Sequence, residues 1–233
     1  MGGAPKLGER IEAVDARGKH LLLRFERGLV LRTHLRMTGS WHLYRDRERW
    51  RKPAHLARAV VGADSGWVAV CFQAPVVETF HERGPEPAAL AGLGPDLCLP
   101  GSLADDVLDE ILRRADRLAP PELTVGEALL DQRIAAGLGN VYKSEACFAV
   151  GLDPGTRLVA VDADHRRRLW TVAARQLQAN LGRTGRRTHP AGLAVYGRRG
   201  QPCRRCGTPI RMARHGEAGR STYWCPSCQP GPS

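Results

Sequence analysis

No stretch of this 233-residue sequence is apolar for long enough to cross a bilayer as a helix, which takes roughly 20 residues. The opening MGGAPKLGER has no apolar run to serve as a leader, and Lys6 stands where an N-myristoylation pattern requires Ser or Thr. The chain is therefore expected to stay in the cytosol, with the nucleoid if the cell is bacterial, and to have no membrane partner. Acid is missing locally: from Arg183 to Arg214 there are nine arginines and no aspartate or glutamate. Lysine is scarce everywhere, four residues against thirty-one arginines. Lys19 stands out for that reason, because a lysine can exchange a proton near neutral pH and an arginine cannot. There is no internal repeat and no low-complexity tract.

What the sequence has is positive charge. A formal net charge of +11 and a pI near 9.9 favour a polyanionic partner, and the gathering of arginines into one acid-free stretch favours a phosphate-binding face. Up to about residue 80, HLLLRFE, LVLRTHL, ARAVVG and WVAVCF are short, rich in Val and Leu, and separated by Gly or charged turns, which predicts a β-rich lobe. PVVETFHERGPEPAALAGLGPDLCLPGS is broken by Pro and Gly and reads as a connector. From Asp105 to about Leu181, VLDEILRRA, VGEALLDQR, VYKSEACFAV and HRRRLWTVAARQLQANL carry apolar residues three or four apart and predict helices. Thr124 and Glu127 make a capping-box pattern, Gly151 and Pro154 end a helix, and the turn AAGLGN lies between. The expected class is α+β, in segments 1–100, 101–192 and 193–233.

Seven cysteines is an odd number, and four fall into two CxxC pairs, Cys203/Cys206 and Cys225/Cys228, with eighteen residues between the pairs. Each CxxC turn aims two thiolates at one ion, so this spacing predicts a single structural Zn2+ with no open position for chemistry. Cys71, Cys98 and Cys147 lie in apolar surroundings and read as small core residues. Arg204, Arg205, Arg211, Arg214 and Arg220 surround or separate the ligands, where they can offer cations to phosphate on a rigid frame. A zinc ribbon for protein contact, or for RNA or ribosomes, fits the same spacing.

YGRRGQPCRRCGTPI and GRSTYWCPSCQ closely resemble the C-terminal zinc finger of formamidopyrimidine and endonuclease VIII type DNA glycosylases. GEALLDQRIAAGLGNVYKSEACFAVGLDP is similar to that family's helix-two-turn-helix element, and GKHLLLRFERGLVLRTHLRMTGSWH to later strands of its N-terminal β-sandwich. The resemblance implies an incomplete N-terminal β-sandwich lobe up to residue 100, a helix-two-turn-helix DNA-binding lobe, and a zinc-finger hairpin. It also implies a monomer on damaged or abasic DNA with no small-molecule cofactor. VCFQAPVVETFHERG lacks the DPRRFG-like loop of the oxidised-purine branch, so the resemblance points to the endonuclease VIII branch and oxidised pyrimidines.

Members of the family begin, after Met removal, with Pro-Glu and a helix ahead of the strand leading to the GKH segment. The proline amine attacks the sugar C1′ to form a Schiff base, and the glutamate handles protons. Here MGGAPKLGER directly precedes that strand. Two expectations follow. With Pro-Glu supplied by an upstream start, the protein removes an oxidised base and cuts the strand by β,δ-elimination. As written, it is a zinc-dependent clamp on damaged DNA without the nucleophile. The Gly2 amine is a third, adventitious source of Schiff bases.

For single residues, the resemblance gives Lys19 a catalytic part, contacting the lesion strand and assisting elimination; read alone, Lys19 is a solvated strand-end lysine. It has Arg220 contacting the phosphate and sugar beside the damage and supporting δ-elimination. Asn140, preceded by Gly139, opens a helix where orphan N–H groups and the dipole suit a phosphate, though Asn is also an ordinary N-cap there. Met37 matches the side chain that fills the gap left by an extruded nucleotide, with core packing as the plain alternative, and Arg36 is expected at the opposite base.

Overall fold

A computed structural model describes residues 3–183, 185–216 and 219–231. The Gly2 amine considered above lies outside them. The chain divides into two compact units, Met1–Ala91 and Gly92–Ser233.

In the first unit β1 (Ile11–Arg17), β2 (His20–Phe25), β3 (Leu29–His34) and β7 (Val76–His81) form one antiparallel sheet in the order β1-β2-β3-β7. A second sheet has β4 (Ser40–Arg45), β5 (Ala57–Gly62) and β6 (Trp67–Phe72) in the order β4-β6-β5. Leu23 of β2 stands opposite Leu31 of β3, and with Phe25 and Leu29 they pack against Ala59 and Val61 of β5, closing the two sheets face to face. Tyr44, Val70 and Phe72 make a second cluster under Trp50 and Leu56. A single turn, α1 (Ala88–Ala91), ends the unit. The segment expected to be a connector begins with a strand, because β7 pairs with β3 along its whole length. Pro75 precedes that pairing and Gly84 follows it, so neither interrupts the ladder.

In the second unit α2 (Asp105–Leu118), α4 (Asn140–Val150) and α5 (Ala163–Gln178) surround a core that includes Leu97, Ile111, Leu129, Leu138, Tyr142 and Trp170. The predicted helix over 125–133 is only α3 (Val125–Ala128). Its capping box is complete, with Thr124 and Glu127 bonding reciprocally, but Asp131 then bonds the Arg133 backbone N–H at 2.9 Å and competes with further helix. Gln132 splints the turn that follows: its Nε2 donates to the carbonyls of Leu130 and Leu138, and its Oε1 accepts from Gly137 N–H at 3.0 Å. Gly137 has φ +101°, and a Cβ there would press on Cys98 and Leu177, so glycine is required on both counts. Gly151, at φ +79°, caps α4 as the sequence predicts. The unit ends in a hairpin of β8 (Arg211–His215) and β9 (Arg220–Trp224). Among the described residues no helix is long and apolar enough to cross a membrane.

Candidate nucleic-acid interface and zinc centre

The four predicted cysteines converge in the second unit, with their sulfurs within 4.8 Å of one another. Cys203 and Cys228 sulfurs are 3.9 Å apart, Cys206 and Cys225 3.5 Å, and Cys206 and Cys228 3.4 Å. Disulfides are excluded by those separations, since a bonded pair sits at about 2 Å. Tetrahedral Zn2+ with ligands near 2.3 Å places its sulfurs about 3.8 Å apart, so the cluster fits one ion. The Arg205 backbone N–H donates to Cys203 Sγ at 3.4 Å. Cys225 N–H donates to Gln229 Oε1, whose Nε2 donates to the Leu152 carbonyl at 2.7 Å, tying the finger to the end of α4.

Helix α4 is the other wall. Gly139 is its N-cap in extended conformation with no side-chain cap, and the first helical bond runs from Lys143 N–H to Gly139 O at 3.0 Å. The amides of residues 140–142 thus precede the ladder, at the end of the helix that attracts an anion. Asn140 does not cap; it is the first helical residue, and its Nδ2 faces Ser221 Oγ of β9 at 3.4 Å. Lys143 lies beneath it with 1% of its surface exposed. Its Nζ donates to Asn140 Oδ1 at 3.1 Å, to the Ser221 carbonyl at 3.1 Å and to Thr222 Oγ1 at 2.7 Å. Burial holds the Lys143 pKa down at about 8, and the Arg220 charge adds to that effect. Arg220 is exposed at the head of β9, paired across the hairpin with His215.

Some of the basic stretch is committed elsewhere. Arg204 donates to the carbonyls of Leu193 and Ala191, Arg198 to those of Ala194 and Pro202, and Arg205 stacks on Phe148 at 4.4 Å. These three arginines brace the finger's own loops, which the sequence gave no means to separate from exposed ones. Glu145, another residue the sequence reading passed over, is buried on α4. Its carboxylate accepts from the backbone N–H groups of Ala194, Val195 and Tyr196 at 2.7 to 2.9 Å and from the Thr188 hydroxyl, fixing the loop that leads into the finger.

In the first unit, Lys19 is exposed in the two-residue turn joining β1 to β2, with Gly18 at φ +59° in the position that needs glycine. Around it lies a polar cluster unread in the sequence. Arg32 Nε donates to His20 Nδ1 at 3.1 Å, the His20 and His34 rings stand 4.6 Å apart, and the Arg36 backbone N–H donates to His34 Nδ1 at 3.3 Å. Burial first, then the nearby Arg and Lys charges, push His20 down to about 4 and lower His34 as well. Arg36 takes φ +44° in a tight turn closed by Gly39 N–H on the Leu35 carbonyl. A Cβ on Gly39 would fall 2.7 Å from that carbonyl oxygen. Met37, at the tip of the turn, is 86% exposed and takes no part in the core.

Three family descriptions match in chain order: the formamidopyrimidine-DNA glycosylase N-terminal domain over residues 4–72, the formamidopyrimidine-DNA glycosylase H2TH domain over 103–189, and the zinc finger found in FPG and IleRS over 200–231. A probable endonuclease 8 2 of Streptomyces coelicolor is 44% identical over 232 residues, spanning 97% of this chain and 81% of the relative. The chain belongs to the formamidopyrimidine-DNA glycosylase and endonuclease 8 family. A second family member, the DNA-(apurinic or apyrimidinic site) lyase Nei2 of Mycolicibacterium smegmatis, is 38% identical and covers 95% of this chain and 83% of its own. The Lactococcus lactis family enzyme Fpg, solved non-covalently bound to DNA containing an AP site, superposes with a TM-score of 0.78 at 26% identity, covering 96% of this chain and 82% of that one. As the family's finger requires, the four thiolates of this chain hold one structural zinc.

Proposed function

We propose that this protein is a DNA glycosylase and abasic-site lyase that removes oxidised bases, pyrimidines in particular, and cuts the strand by β,δ-elimination. The observation that carries the reading is the meeting of α4 and the zinc-held β9, where Asn140, the first-turn amides of α4 and Arg220 offer donors around one stretch of surface. Asn140 and Gly139 take a backbone phosphate there, and Arg220 takes the phosphate and sugar at the damage. On the other unit Lys19 assists elimination, Met37 fills the space of the extruded nucleotide, and Arg36 meets the opposite base. Residues 1–100 serve as the catalytic lobe, 101–192 as the helix-two-turn-helix DNA grip and 193–233 as the finger, in a monomer acting in the cytoplasm. A clamp without chemistry is the second reading; the relatives named as lyases favour the first.

Borohydride reduction of the native protein on a duplex with one abasic site tests this. An enzyme gives a covalent adduct and strand cleavage, and Lys19→Ala and Arg220→Ala each slow cleavage by at least about tenfold, the scale of one acid–base or electrostatic contribution. Tight, salt-sensitive binding with neither adduct nor cleavage assigns the clamp instead.

A further inference from the structure

Lys143 is a buried cation with an unusual set of neighbours. All three of its donors are satisfied, but by neutral oxygens: an amide, a backbone carbonyl and a hydroxyl. The acid that most favours its charge from α3, Glu127, is engaged by Thr124 in the capping box. The lysine also sits in the first turn of α4, where the helix dipole is positive, with Arg220 nearby. A role in packing alone would be filled at less cost by an apolar side chain of the same length, because a desolvated charge without a counter-charge is expensive.

What only a cation does here is set a direction. An ammonium group donates and never accepts, so it takes Asn140 by Oδ1. The reversed amide would bring N–H against N–H. Asn140 Nδ2 is thereby turned toward Ser221 Oγ, and the Ser221 oxygen, accepting from it, keeps its own proton for a further acceptor.

We infer that Lys143 is a positioning residue for phosphate binding: it locks the Asn140 amide with its donor outward, so that Nδ2, the Ser221 hydroxyl and the opening amides of α4 face one DNA phosphate, whose charge then compensates the buried ammonium. The inference rests on the reading that Asn140 meets a phosphate, and extends it to a residue that touches no DNA.

The test measures binding of a duplex containing a stable abasic analogue at several salt concentrations, for the zinc-loaded wild-type protein and the variants Lys143→Met, Asn140→Ala and both together. The slope of log affinity against log salt counts phosphate contacts, at about 0.9 per phosphate. Asn140→Ala is expected to lose about tenfold in affinity and about one contact from the slope. Lys143→Met is expected to do nearly the same although it removes no surface charge, and the double variant to be no worse than either single one. A role in stability alone would lower the melting temperature and leave the slope intact. If Asn140→Ala keeps wild-type affinity and slope, the phosphate reading fails and the inference falls with it; if Asn140→Ala loses the contact and Lys143→Met keeps it, the inference alone fails. Asn140→Asp covers the case in which Lys143→Met does not hold zinc. Pairing the ammonium with a carboxylate raises the melting temperature and lowers affinity more than tenfold; a lowered melting temperature with unchanged affinity would overturn the proposal.

Discussion

Each of the two units buries a cation, and they do so in opposite ways. Arg32 in the first unit has a side chain 6% exposed, paired with the carboxylate of Glu78 and bonded to a histidine kept neutral by its own burial. Lys143 in the second unit is as deeply buried, and its partners are neutral. The first charge is balanced within the fold, so it serves stability whether or not a ligand is present. The second is left for something outside the fold to balance, which is the arrangement a polyanion-binding site needs. Charge content alone does not separate the two cases; the counter-charge does.

The sharpest way to break the contrast is to remove the frame that holds β9. Cys225 is fully buried, and its backbone is tied through Gln229 to the end of α4. Cys225→Ser, or chelation of the metal, is expected to release the zinc and unpin Ser221 and Thr222 from Lys143. Affinity for an abasic duplex should fall by about a hundredfold or more, because the finger depends on its metal for folding. Hydrogen exchange of the β2 and β3 amides should be unchanged. Zinc content and exchange rates on the same sample decide this, and protection retained across β9 without metal would refute it.

Acid is the next largest lever, and it acts on the first unit. The His20 pKa is held near 4 against an ordinary value of 6.5, so the unfolded chain takes up the proton first as pH falls. Stability is present above pH 6.5 and is lost on the way down to pH 4, on the order of 3 kcal/mol from this residue. His34 is lowered too and works in the same direction. His20→Asn, which keeps an acceptor for Arg32, should flatten the urea midpoint of β2 and β3 exchange between pH 7 and 4.5; an unchanged pH slope in that variant would place the acid sensitivity elsewhere.

Parts of this were legible in the sequence and parts were not, for identifiable reasons. The zinc ligands were legible because CxxC spacing is local and its geometry is fixed by four bonds to one ion. β2 and β3 were legible because they are Leu- and Val-rich between turns, whereas β7 was hidden by the prolines and glycines on either side of a short strand. The helix expected through Arg133 failed because Asp131 and Gln132 spend their side chains on the backbone, a competition that periodicity does not register. Lys143 was as rare a residue as Lys19 and was passed over all the same. Its helix is buried on every side from Val141 to Phe148, and no one-sided pattern marks a charged residue that faces inward.

A smaller effect separates the two cations at their partners. Glu78→Gln leaves the Arg32 guanidinium buried without its counter-charge, and because Glu78 is itself 44% exposed the expected loss is about 1–2 kcal/mol. Equilibrium unfolding at pH 7 measures it, and a neutral result would mean that His20 and solvent suffice for Arg32.

The smallest change is expected from Lys143→Met at pH 7. Methionine fills the volume of the lysine stem and removes the desolvated ammonium, while the Ser221 carbonyl, Thr222 Oγ1 and Asn140 Oδ1 each lose a donor worth about 1 kcal/mol. These contributions oppose one another, so the net should lie within about 1 kcal/mol. The pH dependence carries the sign. The lysine pKa is lowered to about 8 from 10.5, so between those values the native state has released a proton that the unfolded chain still holds, and wild-type stability rises with pH across that window. The methionine variant should lack the rise. A loss of 3 kcal/mol or more at pH 7, with no alkaline gain in the wild type, would make Lys143 a structural cation like Arg32 and dissolve the distinction between the units.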